Sequence, residues 1–355
     1  MKGIRVLVID DSAFMRKMIT DILDEDSRLT VIGTARNGED GLRKIRELSP
    51  DVVTLDIEMP IMDGLDCLQQ IMKDTPLPVV MLSSLTAQGA ESTMKAMEYG
   101  AIDFIQKPSG AISLDIETIQ EEITKKVFEA ANVNVERLIT QHKEETSTIP
   151  FTPKKTKLLQ QKSLKKLIAI GASTGGPRAL QKVLMQLPED LPAPVLIVQH
   201  MPQGFTKSLA NRLNTLCQVH VKEAENGEVL QKGTVYIAPG DFHMTVRKVG
   251  MSLAIQLSQT PERLGHRPSV DVMFESLLGL NNYETYAIVL TGMGSDGARG
   301  LEMLKKKSEH VVALAESSES SVVYGMPKAA FQTNQVDHVV HLNDVTNTVM
   351  KLIGE

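Results

Sequence analysis

The sequence has two cysteines among its 355 residues and no apolar run of the length that a membrane-spanning helix needs, roughly 18–20 residues. Cys67 and Cys217 lie in different halves of the chain, which excludes a disulfide framework or a cysteine-rich metal site, and both are expected to be small buried apolar residues. The N-terminus, MKGIRVLVIDD, goes directly into a strand pattern with acidic residues. We therefore expect a cytoplasmic protein with no membrane insertion.

The sequence also has fewer basic residues than acidic ones. The chain carries 38 Lys and Arg against 44 Asp and Glu, a net charge of −6. Because duplex binding depends on clustered Lys and Arg, nucleic acid is not expected as a partner. The hydrophobic fraction of 42% and the charged fraction of 23% are typical of globular proteins, and the length suggests two domains.

The first third of the chain alternates short apolar runs with amphipathic stretches. Nearly all-apolar strands separated by helices predict a parallel sheet covered on both faces. A helical stretch over 113–138 completes a predicted domain of residues 1–138. The predicted strands are 4–9, 30–35, 52–55, 78–82 and 101–105, and the predicted helices include 13–23, 39–48 and 90–100.

The pattern breaks over residues 139–166, which contain seven lysines, two glutamates and no apolar periodicity. This composition predicts a linker, although a basic tract could also bind an acidic partner. A second α/β series follows over 167–355, so the predicted fold class is α/β, with two doubly wound, mainly parallel sheets. Its predicted strands are 167–172, 193–199, 234–239, 251–258, 286–290 and 310–315, and its helices are 177–187, 204–214, 268–279 and 297–306.

Acidic side chains follow two strands of the first domain. Asp10 and Asp11 come after the first strand and Asp56 after the third, at the edge where parallel sheets carry their sites. Crowded carboxylates suit Mg²⁺, and Ser83 and Lys107 follow two further strands. The set predicts phosphorylation of Asp56, with Mg²⁺ and Lys107 shielding charge. Taken one at a time, Asp10 and Asp11 could be helix caps and Lys107 could be a surface residue. The presence of all three together favours the phosphorylation site.

In the second domain, polar side chains that follow strands again predict a site, and Ser173 is the first of them. It lies in LIAIGASTGGP (167–177), His200 follows the second strand, and Asp296 lies just after the strand YAIVL. A hydroxyl, an imidazole and a carboxylate at one sheet edge can perform acyl transfer. The order Ser, His, Asp differs from that of α/β-hydrolases. The glycine-rich turn could instead cradle a phosphate, and His243 or His266 could line the cleft.

The motifs VLVIDDSAFMR, VVTLDIEMPIMDGLD, PVVMLSS and GAIDFIQKP resemble the response-regulator receiver domain over residues 3–108. The resemblance implies a flavodoxin-like (βα)5 fold and a histidine kinase that supplies phosphate to Asp56. The implied residues are Asp10, Asp11, Asp56 and the Glu58 carbonyl as Mg²⁺ ligands, Ser83 as switch hydroxyl and Lys107 as charge sensor.

The motifs IGASTGGP, QHMP, APGDFHM, HRPSVDVMF, TGMGSDGA and VVYGMPKAA resemble the chemotaxis protein-glutamate methylesterase family over residues 167–330. The resemblance implies a Rossmann-like domain that cleaves γ-glutamyl methyl esters on the cytoplasmic helices of chemoreceptors, needs no cofactor for hydrolysis, and often deamidates receptor glutamines. It implies Ser173, His200 and Asp296 as catalytic residues, Thr174 and Met293 at the oxyanion site, and an unphosphorylated receiver that obstructs the cleft. A non-catalytic phosphate-binding module and a general esterase for small esters stay open as alternatives.

Overall fold

The computed structural model describes residues 3–107, 116–133, 135 and 164–354. The predicted linker lies outside these ranges up to residue 163, as do residues 113–115 at the start of the last predicted helix of the first domain. Within the described ranges, no helix is both long enough and apolar enough to cross a membrane.

The N-terminal unit is a five-stranded parallel sheet in the order β2-β1-β3-β4-β5. Alternate residues of β1 enter two different cores: Leu7 and Ile9 pack on one face, and Val6 and Val8 on the other. Both faces are buried because helices cover each of them. The elements are β1 Ile4–Ile9, α1 Ala13–Asp24, β2 Leu29–Ala35, α2 Gly38–Leu48, β3 Val52–Asp56, α3 Gly64–Asp74, β4 Val79–Ser83, α4 Ala87–Tyr99, β5 Asp103–Gln106 and α5 Ile116–Ala131.

The C-terminal unit is a seven-stranded parallel sheet in the order β14-β13-β12-β6-β7-β9-β8, with a separate antiparallel pair, β10-β11. Its central strands are again buried on both faces. The elements are β6 Lys165–Ala172, α6 Gly176–Leu184, β7 Val195–Gln199, α7 Phe205–Leu216, β8 His220–Glu223, β9 Thr234–Ile237, β10 His243–Val249, β11 Ser252–Ser258, α8 Val270–Ser276, β12 Tyr283–Val289, α9 Ala298–Lys307, β13 Val311–Glu316, α10 Met326–Gln332, β14 His338–Val340, a short 3₁₀ helix Leu342–Asp344 and α11 Val345–Gly354.

The parallel-sheet fold class is confirmed in both units. The strand predicted at 251–258 is β11, Ser252–Ser258, and it pairs antiparallel with β10 around Gly250, outside the main sheet. Apolar alternation identifies a strand without identifying its partner, because it reports only which face is buried. Strand β6 begins at Lys165, two residues before the predicted strand, because the β6–β12 pairing extends to Tyr283.

The two units pack against each other through α4 and β5 on one side and α7 and the start of α6 on the other. Phe104 stacks on Phe205 with ring centroids 4.7 Å apart. Beside this pair, the Arg212 guanidinium donates two hydrogen bonds to the Glu98 carboxylate, at 2.6 and 2.9 Å. An aromatic stack and a bidentate ion pair therefore hold the receiver-like sheet against the second unit.

Candidate active site and phosphorylation site

The register between β6 and β7 brings Ser173 and His200 side by side. Ala172 pairs with Gln199 across these adjacent parallel strands, and the His200 N–H donates to the Ala172 carbonyl at 3.1 Å. The next residue of each strand leaves the sheet at the same edge. A hydroxyl and an imidazole that are 27 positions apart in the sequence are thus neighbours because of strand pairing.

A tight turn holds Ser173 between the end of β6 and the start of α6. The Gly176 N–H donates to the Ser173 carbonyl at 2.7 Å, and Gly175 has a φ of +76°, which favours glycine. A Cβ on Gly176 would lie 2.0 Å from Oε1 of Gln199, whose Nε2 donates to the Ser173 carbonyl at 2.9 Å. Pro177 occupies the first turn of α6, where its missing N–H costs nothing. The glycines therefore allow a close approach that orients the serine.

His200 is paired with Asp296, which lies in the loop between β12 and α9. The His200 Nε2 and Asp296 Oδ2 atoms are 2.8 Å apart, and both side chains are almost completely buried. Burial alone would raise the pKa of Asp296, but the hydrogen bond and charge of His200, together with backbone N–H donors, lower it to about 2. Asp296 is therefore ionised and can stabilise a positive charge on His200.

The Asp296 carboxylate is itself held by donors from the start of α8 and by its own loop. Its Oδ1 atom accepts hydrogen bonds from the Ser269 hydroxyl at 2.8 Å and the Asp271 N–H at 2.9 Å. Oδ2 accepts from the Val270 N–H at 2.7 Å, and the Gly297 N–H donates to Oδ1 at 3.0 Å. With all its positions taken by donors, the carboxylate has one fixed orientation toward the imidazole.

The other ring nitrogen of His200, Nδ1, is buried and has no hydrogen-bond partner among the described residues. Within the same part of the chain, the Ser173 hydroxyl makes no hydrogen bond to it. Catalytic hydrogen bonds are often long in a free enzyme and shorten when substrate binds. The predicted Ser173, His200 and Asp296 therefore share one edge of the sheet, with His200 and Asp296 in direct contact and Nδ1 free to take a proton.

Two backbone N–H groups close to Ser173, those of Thr174 and Met293, are the ones that the sequence predicts for an oxyanion site. Gly292 approaches Ser173 so closely that a Cβ on it would lie 2.8 Å from the serine Cβ, which brings the adjacent Met293 close to Ser173. In the described part of the chain, the N–H groups of Thr174 and Met293 have no acceptor. The Thr174 hydroxyl donates to Oδ2 of Asp103 in β5 of the other unit, at 2.5 Å. The two predicted oxyanion residues thus lie together, and one of them is bound by the N-terminal unit.

His266 was only a general cleft candidate from the sequence, and the structure gives it a definite position. Its ring stacks on that of His200 with centroids 3.8 Å apart and planes 13° apart. Burial and the neighbouring His200 charge lower the pKa of His266 to about 3, so its ring is neutral. His243, the other candidate, is buried, and its Nε2 contacts the Pro261 carbonyl at 3.1 Å. The HRPSVD stretch marked His266 as a candidate in the sequence. Its stacking on His200 could not be predicted, because it depends on how the chain folds around the site.

The acidic residues of the N-terminal unit converge as their strand positions predict. One oxygen from each of Asp10, Asp11 and Asp56 lies within 4.8 Å of the others. Lys107 places its Nζ 2.7 Å from Oδ1 of Asp56 and 2.9 Å from Oδ2 of Asp10. Helix α1 is capped by Ser12 and not by either aspartate. Oδ1 of Asp10 accepts the Ser12 N–H at 2.8 Å, while its Oδ2 atom faces Lys107, so Asp10 contributes both to the helix start and to the charged cluster.

The geometry around Asp56 fits a divalent cation. Its Oδ2 atom is buried without a hydrogen-bond partner among the described residues. Burial raises the pKa of Asp56 to about 6 even though Lys107 acts to lower it. A hard cation that prefers carboxylate oxygens, such as Mg²⁺, would relieve this penalty. The Glu58 N–H donates to Oδ1 of Asp56 at 3.3 Å, which places the Glu58 backbone beside that carboxylate.

Ser83 ends β4 but is bonded to α4 and not to Asp56. Its hydroxyl lies 3.1 Å from the Gly89 carbonyl, to which it donates, and accepts from the Thr93 hydroxyl at 2.7 Å. The side chain is fully buried. For Ser83 to bind a phosphoryl group on Asp56, these bonds to α4 must break. Ser83 therefore connects the acidic site to the helix that packs on the second unit.

Comparison with known proteins gives the same two-part organisation. Residues 168–349 match the family model of the CheB methylesterase, and residues 6–119 match the response regulator receiver domain. The chain is 54% identical over 355 residues to the protein-glutamate methylesterase/protein-glutamine glutaminase of Geobacillus kaustophilus, covering 100% of both chains. It is 53% identical over 354 residues to the protein of the same name from Oceanobacillus iheyensis, covering 99% of both. The crystal structure of the Thermotoga maritima CheB methylesterase catalytic domain aligns with 54% of this chain and 99% of its own, at 39% identity and a TM-score of 0.51.

Proposed function

Because the chain belongs to the CheB methylesterase family and carries a receiver domain, we propose that it hydrolyses γ-glutamyl methyl esters on the cytoplasmic helices of chemoreceptors, under control of phosphorylation at Asp56. Deamidation of receptor glutamines is the second reaction of the same site. The buried His200–Asp296 pair beside Ser173 is the observation that carries the proposal. The proposed domains are residues 1–138 and 167–355, joined by the linker 139–166, with β6 of the second domain extending back to Lys165, and the reaction takes place in the cytoplasm.

The first step is attack on the ester. The Ser173 hydroxyl oxygen bonds to the side-chain carbonyl carbon while its proton passes to Nδ1 of His200, and the charged imidazole is stabilised by Asp296. The carbonyl oxygen becomes an oxyanion and accepts hydrogen bonds from the Thr174 and Met293 amides. His200 then returns the proton to the leaving oxygen. Methanol departs and leaves a glutamyl ester on Ser173.

In the second step, water takes the place of the serine hydroxyl as the attacking group. His200 Nδ1 takes a proton from water, the resulting hydroxide attacks the acyl carbon, and the same amides hold the second oxyanion. Collapse returns the proton to the Ser173 oxygen and releases a receptor glutamate. With a glutamine substrate, ammonia leaves in place of methanol. The two steps use only side chains and backbone amides of the chain, so no cofactor is required for hydrolysis.

Control acts through access to this site. In the unphosphorylated arrangement, Asp103 binds the Thr174 hydroxyl, and α4 packs on α7 through Glu98 and Arg212. The first contact engages a predicted oxyanion residue, and the second holds the two units together. They oppose receptor binding until the two units separate. The phosphorylated state then has a larger population of open molecules.

Phosphorylation would release these contacts through Ser83. Mg²⁺ held by Asp10, Asp11, Asp56 and the Glu58 carbonyl would neutralise charge during transfer from the chemotaxis histidine kinase. Lys107 contacts the carboxylate that receives the phosphoryl group. When Ser83 turns to that group, it gives up its bonds to α4. A looser α4 weakens the packing that holds the units together.

The proposal is tested by methanol release from methylated receptor, with and without a small-molecule phosphodonor and Mg²⁺. Wild type should be stimulated by the phosphodonor, Asp56→Asn should keep only basal activity, and Ser173→Ala should release no methanol while remaining folded. Near-normal methanol release by Ser173→Ala would reject the nucleophile. Equal or faster cleavage of unrelated small esters would favour a general esterase, and no cleavage of any ester would favour a phosphate-binding module.

A further inference from the structure

A further buried carboxylate, Glu316, lies near the proposed catalytic residues without contacting them. Glu316 is the last residue of β13 and has no exposed surface. Its Oε2 atom accepts a hydrogen bond from the Thr291 N–H at 2.7 Å, and its Oε1 atom accepts one from the Ser320 hydroxyl at 2.9 Å. Thr291 lies two residues beyond the end of β12, in the loop that leads to the Met293 amide. Glu316 therefore anchors the backbone of that loop.

Thr291 connects this anchor to the nucleophile turn by two further bonds. Its carbonyl accepts from the Ser173 N–H at 3.0 Å, and its hydroxyl donates to the Thr174 carbonyl at 3.0 Å. The Val323 N–H in turn donates to the Thr291 hydroxyl at 3.0 Å. One residue thus joins the turn that carries the serine to the loop that carries an oxyanion amide. Each of its polar groups is used in doing so.

The environment of Glu316 is unfavourable for a carboxylate that has no specific role. Burial raises its pKa to about 7, and the Thr291 N–H, the Ser320 hydroxyl and the charge of Lys182 offset only part of that effect. An apolar side chain at this position would avoid the cost of burying a carboxyl group. It would also leave the Thr291 N–H without its acceptor. An apolar residue could reproduce neither the bond to Thr291 nor that to Ser320, and the bond to Thr291 is the one that reaches the loop of Met293.

We propose that Glu316 is a positioning residue for the hydrolysis: by holding Thr291, it sets the separation between Ser173 and the Met293 amide. The inference rests on the proposed function, because it assumes that Ser173 is the nucleophile and that the amide binds the oxyanion. Displacement of Thr291 would move both groups relative to each other. It would weaken transition-state binding more than substrate binding, because the oxyanion forms only during the reaction.

The test compares Glu316→Leu with Glu316→Gln in the full chain, activated by phosphodonor, with methylated receptor as substrate. Leucine keeps the approximate size but removes the acceptor, so kcat should fall by about tenfold or more while KM changes by less than about twofold. Glutamine keeps an acceptor oxygen for the Thr291 N–H, so kcat should return to within about threefold of wild type. Activities are normalised to folded protein, measured by thermal unfolding.

Asp337→Leu is the matched control. Asp337 also accepts a backbone N–H from β13, that of Ala313 at 2.7 Å, but it has no contact with Thr291. It should lower the thermal unfolding midpoint and leave kcat unchanged. The inference is overturned if Glu316→Leu behaves like this control, or if glutamine fails to restore kcat. If Ser173→Ala retains activity, the proposed function itself fails; if Ser173→Ala is inactive but Glu316→Leu is fully active, only the positioning role fails.

Discussion

Removal of the Asp103 carboxylate should raise the activity of the unphosphorylated enzyme. Asp103 belongs to the N-terminal unit and takes no part in ester chemistry, yet its Oδ2 atom lies 2.5 Å from the Thr174 hydroxyl that donates to it. Both residues are buried, at 8% and 5% exposure, so water does not compete strongly for this bond. In Asp103→Ala only the closed arrangement loses this bond, whereas the contacts of Asp103 with the Phe104 N–H and Lys126 in its own unit are lost equally in both arrangements.

The size of the effect follows from the strength of the bond. A hydrogen bond to a charged group contributes about 1.5–3 kcal/mol, and about 1.4 kcal/mol corresponds to a tenfold change in an equilibrium. The ratio of open to closed molecules should therefore increase by roughly 10- to 150-fold. Basal activity should rise by the same factor until it reaches the level of phosphodonor-activated wild type. Arg212→Ala, which removes the bidentate pair with Glu98, should act in the same direction.

The assay is the initial rate of methanol release from methylated receptor, measured without phosphodonor. Asp21→Ala is the control, because Asp21 is an exposed α1 carboxylate whose ion pair with Lys17 spans 2.6 Å at the surface, and surface pairs contribute little. It should leave the basal rate unchanged. The reasoning is refuted if Asp103→Ala is folded, reaches the normal activated rate and still shows wild-type basal activity.

The remaining predictions concern the catalytic side chains and the switch. Asp296→Asn should lower kcat by about a thousandfold or more and the free energy of unfolding by about 2–4 kcal/mol. The cause is that the amide turns an NH₂ group toward N–H groups from which the carboxylate accepts hydrogen bonds. Methanol release measures kcat and urea unfolding measures stability, and a decrease in kcat of less than tenfold would count against the pairing with His200. The pKa of His266, lowered from 6.5 to about 3, means that the unfolded chain gains a proton that the folded chain does not as the pH falls below 6.5. This group should therefore lower the unfolding free energy by up to about 1.4 kcal/mol per pH unit between about pH 6 and 3. In urea titrations from pH 7 to 4, the free energy of unfolding of His266→Phe should depend less steeply on pH than that of wild type. Parallel curves for the two proteins would disprove this contribution of His266. Ser83→Ala should reduce the ratio of phosphodonor-activated to basal activity, measured side by side with wild type, because the hydroxyl can no longer leave α4 for the phosphoryl group on Asp56; an unchanged ratio would exclude this role.

The sequence supported those parts of the fold and site that depend on local pattern. Apolar strands and intervening helices predicted parallel sheets, and residues directly after strands were expected at one edge. This rule was enough to place Asp10 and Asp56 together, and Ser173 and His200. It works because the carboxyl ends of parallel strands meet whatever separates them in sequence.

Other features depend on contacts that no local pattern encodes. The stacking of His266 on His200 requires the segment before α8 to fold across the end of β7. The bond from Thr174 to Asp103 joins two domains across 71 positions. Glu316 looks like an ordinary strand-end acid until β12 and β13 are paired and Thr291 lies beside it. Burial and partner identity are properties of the assembled sheet, which explains why these contacts were not predicted.

The central claim is that Ser173 is the nucleophile activated by His200. It is tested most directly by mapping the adduct of a fluorophosphonate on the phosphodonor-activated enzyme while methanol release is followed. The account predicts a single adduct on Ser173, loss of activity in proportion to the labelled fraction, and labelling slowed by about a hundredfold in His200→Gln. Full methanol release by enzyme whose Ser173 is completely labelled, or loss of activity through an adduct on another residue, would contradict it.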